Sequence, residues 1–367
     1  MTVKALQTDE EFHRYVSFGH EVYDQNPYWV PPNAEYVVSL LNRSSPVAAN
    51  AKVQPFWAEV DGKVVATLTA VIEETYNLRW NEQMGHLIFF EALPDHQEAV
   101  SELFSAACDW LKEFNCRIAR STLLISWQLP ITIDAYDSVP TFFHTYNPPY
   151  YHSYIKNAGF MTERGAVQYQ MEFTPELADR YRQMVEKCVQ SGVTLRSMDF
   201  DRLEEETAAF QEISNDAFSE HWGAHPLSVA AMRELTFGLK DLLVPEFIVF
   251  AEADGQIAGV VYSFPDLNQV FHKMRGKDLE NNLEEFQQLV QQVDHGALII
   301  IGLRKKYRGR GINLALAAKS YLAMIERGYK TGSYTIVLDD NWRSRRTAEK
   351  LGGRVTRNSV IYRRELA

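Results

Sequence analysis

What this 367-residue chain has little of narrows its class before any motif is read. It carries only three cysteines, Cys108, Cys116 and Cys188, at spacings that fit neither a zinc site nor a disulfide framework. Buried thiols in a reducing compartment are expected, and no metal site. No apolar run reaches the ~18 residues of a membrane span. The opening Met-Thr-Val-Lys-Ala-Leu-Gln-Thr-Asp-Glu lacks the apolar core of a secretory signal. A cytoplasmic protein without a transmembrane segment is the expectation. Basic charge is also scarce: 37 Lys and Arg stand against 48 Asp and Glu, a net −11. That balance argues against a general nucleic-acid binder and mildly favours cationic or amine partners.

Apolar material is ample at 46%, with 23% charged residues, ordinary for a globular protein. A length of 367 residues exceeds what one core usually holds and suggests two domains. Two repeats at equal spacing support this. Phe56–Thr67 reads as a hairpin turning at Asp61-Gly62, and Phe250–Gly259 as one turning at Asp254-Gly255. Gly159 and Gly352, each ending a short helix, lie as far apart as Gly62 and Gly255. Between these anchors each half runs hairpin, apolar strand, helix, strand, short helix, final strand, the pattern of an internal duplication. The boundary is expected near Glu172–Pro175, giving domains 1–174 and 175–367.

The stretch Leu298–Gly328 organises the second half. Leu298-Ile299-Ile300-Ile301-Gly302-Leu303 suits a buried strand. Arg304 to Gly311 is a short turn with two glycines and a cluster of basic residues. An apolar helix follows, stopping at Gly328. Strand, glycine-rich basic turn and helix together expose backbone N–H groups and a positive helix end to an anion.

The run Arg308-Gly309-Arg310-Gly311-Ile312-Asn313 resembles the pyrophosphate loop of the GNAT (GCN5-related) N-acyltransferases, with Asn313 where that loop ends in Gly or Ala. Downstream, Asp340-Asn341 and Glu349-Lys350-Leu351-Gly352 also resemble the family, with Ala348 at its usual tyrosine position. The resemblance covers about 194–365, and 50–173 only by pattern. It implies an α/β (α+β) fold of two tandem GNAT-like domains, each a mixed, mostly antiparallel twisted sheet flanked by helices. It further implies acetyl-CoA or another acyl-CoA as co-substrate and a small-molecule primary amine as acceptor.

Site residues follow from the same resemblance. Gly309, Gly311, Ile312 and Asn313 supply N–H groups to the pyrophosphate, Arg308 and Arg310 add charge, and Lys305 and Lys306 reach toward the 3′-phosphate. Ile301 and Leu303 pair with the pantetheine arm, which Asn341 also contacts, and the Leu303 N–H is the candidate oxyanion donor. The general base is Asp266 or His221, with His295 a third candidate. A non-enzymatic acyl-CoA-binding module is the alternative, as is long-chain transfer to a lipid-type amine. In the first half the matching loop, Glu91-Ala92-Leu93-Pro94-Asp95-His96, has two carboxylates, no glycine and a proline without an N–H. That half is expected to be a degenerate copy, with Tyr146–His152 shaping either an acceptor pocket or a packing surface. An amphipathic helix with Leu279, Leu283, Phe286, Val290 and Val293 on one face is expected before the central strand.

Overall fold

The structure is a computed structural model describing residues 1–122, 130–237, 240–277 and 280–366. It divides into two compact units, Met1–Ala166 with Asn358–Ala367, and Val167–Arg357. This partition differs from a cut at 174/175 in two segments. The C-terminal segment belongs to the first unit because its polar groups are bonded there. Asn358 takes both oxygens of Asp134, the Tyr362 N–H reaches Ser121 Oγ at 2.9 Å, and the Leu366 N–H reaches the Arg117 carbonyl. Residues 167–172 belong to the second unit, where Tyr169 and Met171 pack on Gly353.

The first unit runs β1 (Thr2–Ala5), α1 (Asp9–Ser17), α2 (Gly19–Val22), α3 (Ala34–Leu41), β2 (Ala51–Val60), β3 (Lys63–Glu73), α4 (Glu74–Trp80), β4 (Met84–Ala92), α5 (Gln97–Glu113), β5 (Ile118–Arg120), β6 (Ile131–Thr132), α6 (Tyr151–Asn157) and β7 (Met161–Glu172), whose second half passes into the second unit. Thr8 and Glu11 close a capping box on α1. The helical segment is interrupted at Phe18, and Gly19 admits the Trp29 ring where a Cβ would stand 3.1 Å from it. The proline-rich segment after it is a packing strap, with Trp29 stacked on Tyr23 at 4.9 Å. Strands β1 to β4 pair antiparallel and β4 runs parallel to β5. Helix α5 buries Leu103, Phe104, Ala107 and Leu111 against this sheet.

The second unit follows with α7 (Pro175–Gln190), β8 (Thr194–Ser197), α8 (Leu203–Ala217), α9 (Val229–Phe237), β9 (Val249–Ala253), β10 (Gln256–Pro265), α10 (Asn268–Met274), α11 (Leu283–Val290), β11 (His295–Leu303), α12 (Ile312–Glu326), β12 (Thr331–Leu338), α13 (Trp342–Lys350) and β13 (Arg354–Glu365), which ends in the first unit. Strands β8 to β11 pair antiparallel, and β11 runs parallel to β12. Both hairpins turn through left-handed residues, Asp61 and Gly62 at φ 51° and 75°, Asp254 and Gly255 at 54° and 71°. Both units also carry an irregular register in the strand pair that follows, β3/β4 and β10/β11. These shared irregularities support the duplication more strongly than the sequence repeat does. The expected amphipathic insert is two helices, α10 and α11. Phe286 and Val293 bury against Val270 and Met274, whereas Leu283 is exposed; Leu279 lies outside the described residues.

Candidate active site

The site begins at an opening in the sheet. Strand β11 pairs with β12 only from His295 to Leu298, whose partner is Tyr334. On its other side β11 pairs with β10 as far as Leu303, but the register skips Ile299, with Tyr262 opposite Ile300 and Ser263 opposite Leu298. That extra residue is a β-bulge, which bends the strand. The two ladders therefore lapse at one place, and the C-terminal half of β11 has one free edge. The Arg304 N–H donates to the Ala258 carbonyl at 2.9 Å. Antiparallel alternation then turns the N–H groups of Ile301 and Leu303 toward that free edge. Across the opening, Ile336 holds φ at 52°, a strained value for a β-branched residue.

The basic turn caps this edge. Gly309 and Gly311 sit at φ 84° and 77°, and a Cβ on either would meet nothing within 4 Å. Their role is conformational, and the space beside them is open. Gly311 starts α12 with no side-chain cap. Among the described residues, none of the N–H groups from Gly309 through Leu314 donates to a backbone carbonyl. Unused donors at the positive end of a four-turn helix form an anion cradle.

The side chains around the turn have assigned places. Arg308 donates to the Ala217 carbonyl at 3.1 Å, Lys305 pairs with Glu220, Lys306 reaches Gln256, and Arg310 lies 3.6 Å from Asp254. Asn313 turns its amide to Thr347 Oγ1 at 2.7 Å, so its side chain ties α12 to α13. Asn341 Oδ1 accepts the Ser344 N–H and caps α13. Ala348 is buried in the core. Sequence reasoning passed over three residues here. Arg343 and Arg346 flank Thr347, are exposed, and have no partner among the described residues; the signal was the basic run in α13. Tyr334 stands where β11 and β12 part, its hydroxyl 3.0 Å from Ser344 Oγ. Burial pushes its phenol up to about 12.

The acid/base candidates are not brought together. The His221 loop lies beside the basic turn through the Lys305–Glu220 pair. Asp266 lies at the other end of β11, where its N–H donates to the His295 carbonyl at 2.8 Å and its Oδ1 accepts the Asn268 N–H. Eight steps of strand at about 3.3 Å each separate those ends by roughly 26 Å. His295 is buried, with Nδ1 2.7 Å from Thr331 Oγ1, and burial lowers its pKa to about 4. It is neutral at pH 7.

In the first unit tyrosines occupy part of the equivalent loop. The Tyr150 hydroxyl donates to the Ala92 carbonyl, the Ala92 N–H donates to Tyr151, and the His96 N–H donates to Tyr154. Glu91 stands beside it. Helix α5 also starts without a side-chain cap, so the loops differ in charge: Glu91 and Asp95 stand in this one, where the turn of the second unit carries arginines.

A family model described as the Acetyltransferase (GNAT) family matches residues 207–353, the segment that holds the bulged strand, the turn and both flanking helices. Residues 207–353 carry a GNAT-family segment. A tandem GNAT protein from the clavulanic acid biosynthesis pathway aligns over 100% of this chain and 99% of its own, with TM-score 0.59 and 12% identity. A GCN5-related N-acetyltransferase from Sphaerobacter thermophilus aligns over 99% of this chain and 96% of its own, with TM-score 0.54 and 15% identity. At such identities the likeness is one of fold. By sequence this chain is 25% identical to the bacterial ceramide synthase of Caulobacter vibrioides, over 100% of this chain and 98% of that protein. The chain is an N-acyltransferase by the family of that segment. No helix among the described residues is long and apolar enough to cross a membrane.

Proposed function

We propose that the protein transfers an acyl group from acyl-CoA to a primary amine by direct attack on the thioester. The observation that carries this reading is the row of unused N–H groups from Gly309 to Leu314, set at the end of a strand with one free edge. The turn holds the pyrophosphate, and Arg308 and Arg310 add charge. Exposed Arg343 and Arg346 are better placed for the 3′-phosphate than Lys305 and Lys306, which already have partners.

Acyl-CoA supplies an activated acyl carbon. Ile301 and Leu303 N–H groups pair with the pantetheine arm and hold that carbon in line with the amine. Because Leu303 adjoins the turn, it is too near the pyrophosphate end to meet the thioester. The Ile299 bulge, farther along the same edge, is the better oxyanion donor. The acceptor's ammonium first gives a proton to solvent; its nitrogen then forms the new C–N bond and releases a second proton to solvent as the C–S bond breaks, and the thiolate takes a proton. Tyr334, protonated at neutral pH and placed at the vertex of the opening, is the proposed donor, from β12 rather than from the usual tyrosine position at Ala348. Either Asp266 or His221 remains a candidate base only if the acceptor extends to its end of β11.

The acceptor reading narrows on one further observation. Alignment with a ceramide synthase over nearly the full length of both chains favours a long-chain acyl group and a lipid-type amine. Thiol release from acetyl-CoA and longer acyl-CoAs, against amines with and without alkyl chains, tests both levels. Release with some acyl-CoA and amine is expected; none with any pair sinks the enzyme reading. Titration calorimetry with coenzyme A tests the cradle, and Gly311→Asp is expected to abolish its heat.

A further inference from the structure

A cavity in the first unit plays no part in acyl transfer as proposed. Leu68, Leu87, Phe104 and Ile155 line it with apolar surface, Thr145 borders it as an exposed loop residue, and Glu91 supplies a carboxylate. It opens to solvent at its mouth.

Glu91 is bonded on one side only. The Tyr23 and Tyr151 hydroxyls both donate to Oε2, each at 2.6 Å. Tyr151 is committed to this pose, because its oxygen also receives the Ala92 N–H at 2.7 Å. Tyr23 lies 3.1 Å from the Tyr146 carbonyl as well, so it has an alternative acceptor. Oε1 receives no donor among the described residues. Glu91 is half-buried, so Oε1 keeps access to solvent at the cavity, and a ligand that displaces that water must bring a donor of its own. Burial raises Glu91 to about 7, and the titratable groups interacting with it, Tyr15, Tyr23, Tyr150 and Tyr151, include no cation.

We propose that this cavity is a ligand site for a primary alkylammonium, with Glu91 as counter-ion to the head and the apolar wall taking the chain. A primary ammonium brings three N–H donors and the missing charge in a compact head. The aromatic lining adds cation–π attraction. An anion is repelled by Glu91. A hard metal ion needs several oxygen ligands, and no group of three or more His, Cys, Asp or Glu able to hold one is present among the described residues. An alcohol leaves the charge uncompensated. None of these residues belongs to the turn at 308–313, so the assignment stands or falls apart from acyl transfer.

Titration calorimetry and thermal shift with n-hexylamine, hexanol and hexanoate at pH 7.5 (about) test it on the full chain. Wild type is expected to bind hexylammonium at one saturable site, and hexanol and hexanoate at least about tenfold more weakly, the worth of one charge-assisted hydrogen bond. Glu91→Gln is expected to weaken the amine by a similar factor. Thr145→Trp, which fills the mouth from an exposed position, is expected to do the same and decides the matter if Glu91→Gln does not fold. Gly311→Asp is expected to leave amine binding unchanged. No saturable binding, equal binding of hexanol, undiminished binding by folded Glu91→Gln, or loss in Gly311→Asp would each overturn the proposal.

Discussion

Gly311 answers two demands at once, a left-handed backbone and an uncharged, unobstructed path to the N–H row. Replacement by alanine tests the first alone. The φ of 77° costs an L-residue about 1–2 kcal/mol, so Gly311→Ala should lower thermal stability modestly while calorimetry still detects coenzyme A. Gly311→Asp adds a negative charge and should remove that signal. Tyr334→Phe removes only a hydroxyl; if Tyr334 protonates the leaving thiolate, kcat should fall about 10- to 100-fold with the KM for acyl-CoA little changed. Glu91 makes a prediction about pH. Its folded pKa of about 7 lies above the ordinary 4.5, so between those values the folded state holds more proton than the unfolded one. Its contribution is most favourable below pH ~4.5 and is lost as pH rises to ~7. Glu91→Gln should flatten that decline, read as urea midpoints at several pH values between 4.5 and 8. The thiols do nothing of this kind: burial pushes Cys108 and Cys116 up to about 11, as their apolar helical setting indicated.

The site depends on elements held at fixed separations. Gly296 on β11 lies against α12, and a Cβ there would fall 2.3 Å from Met324 Sδ. Gly296→Val should therefore cost about 1–3 kcal/mol by overpacking. It should also weaken coenzyme A by shifting α12, whose first turn carries the donors, and calorimetry beside thermal melting separates the two effects. Gly302 plays the matching part on the other face, where a Cβ would meet Ala217 of α8 at 2.8 Å. Helix α8 is joined to the turn by the Arg308 bond to the Ala217 carbonyl. The turn and α12 were legible because glycine and apolar period act over a few residues. The bulge at Ile299 was not, since four apolar residues in a row give no sign of which one steps out of register. The same holds for the two helices of the insert: Leu283 fits the apolar stripe, yet it stands exposed.

At the scale of the molecule, the last ten residues complete the unit that the first residues begin. Ending the chain after Arg357 removes the partner of β5 and the ligand of Asp134. The first unit should then lose its cooperative melt while amides of α12 stay protected, which hydrogen exchange with mass spectrometry would read. Intact cooperativity in the shortened chain would refute this. By itself the sequence determined the duplicated order of elements and the glycine-rich basic turn before α12, because these rest on local backbone preferences and on charge among near neighbours. Only the tertiary structure decided that the C-terminal segment belongs to the first unit, that β11 opens at Leu298, that Tyr334 stands at that vertex, and that Glu91 meets Tyr23 and Tyr151. Each of those depends on partners dozens to hundreds of residues away, and a linear pattern carries no record of which distant side chain satisfies a buried polar group.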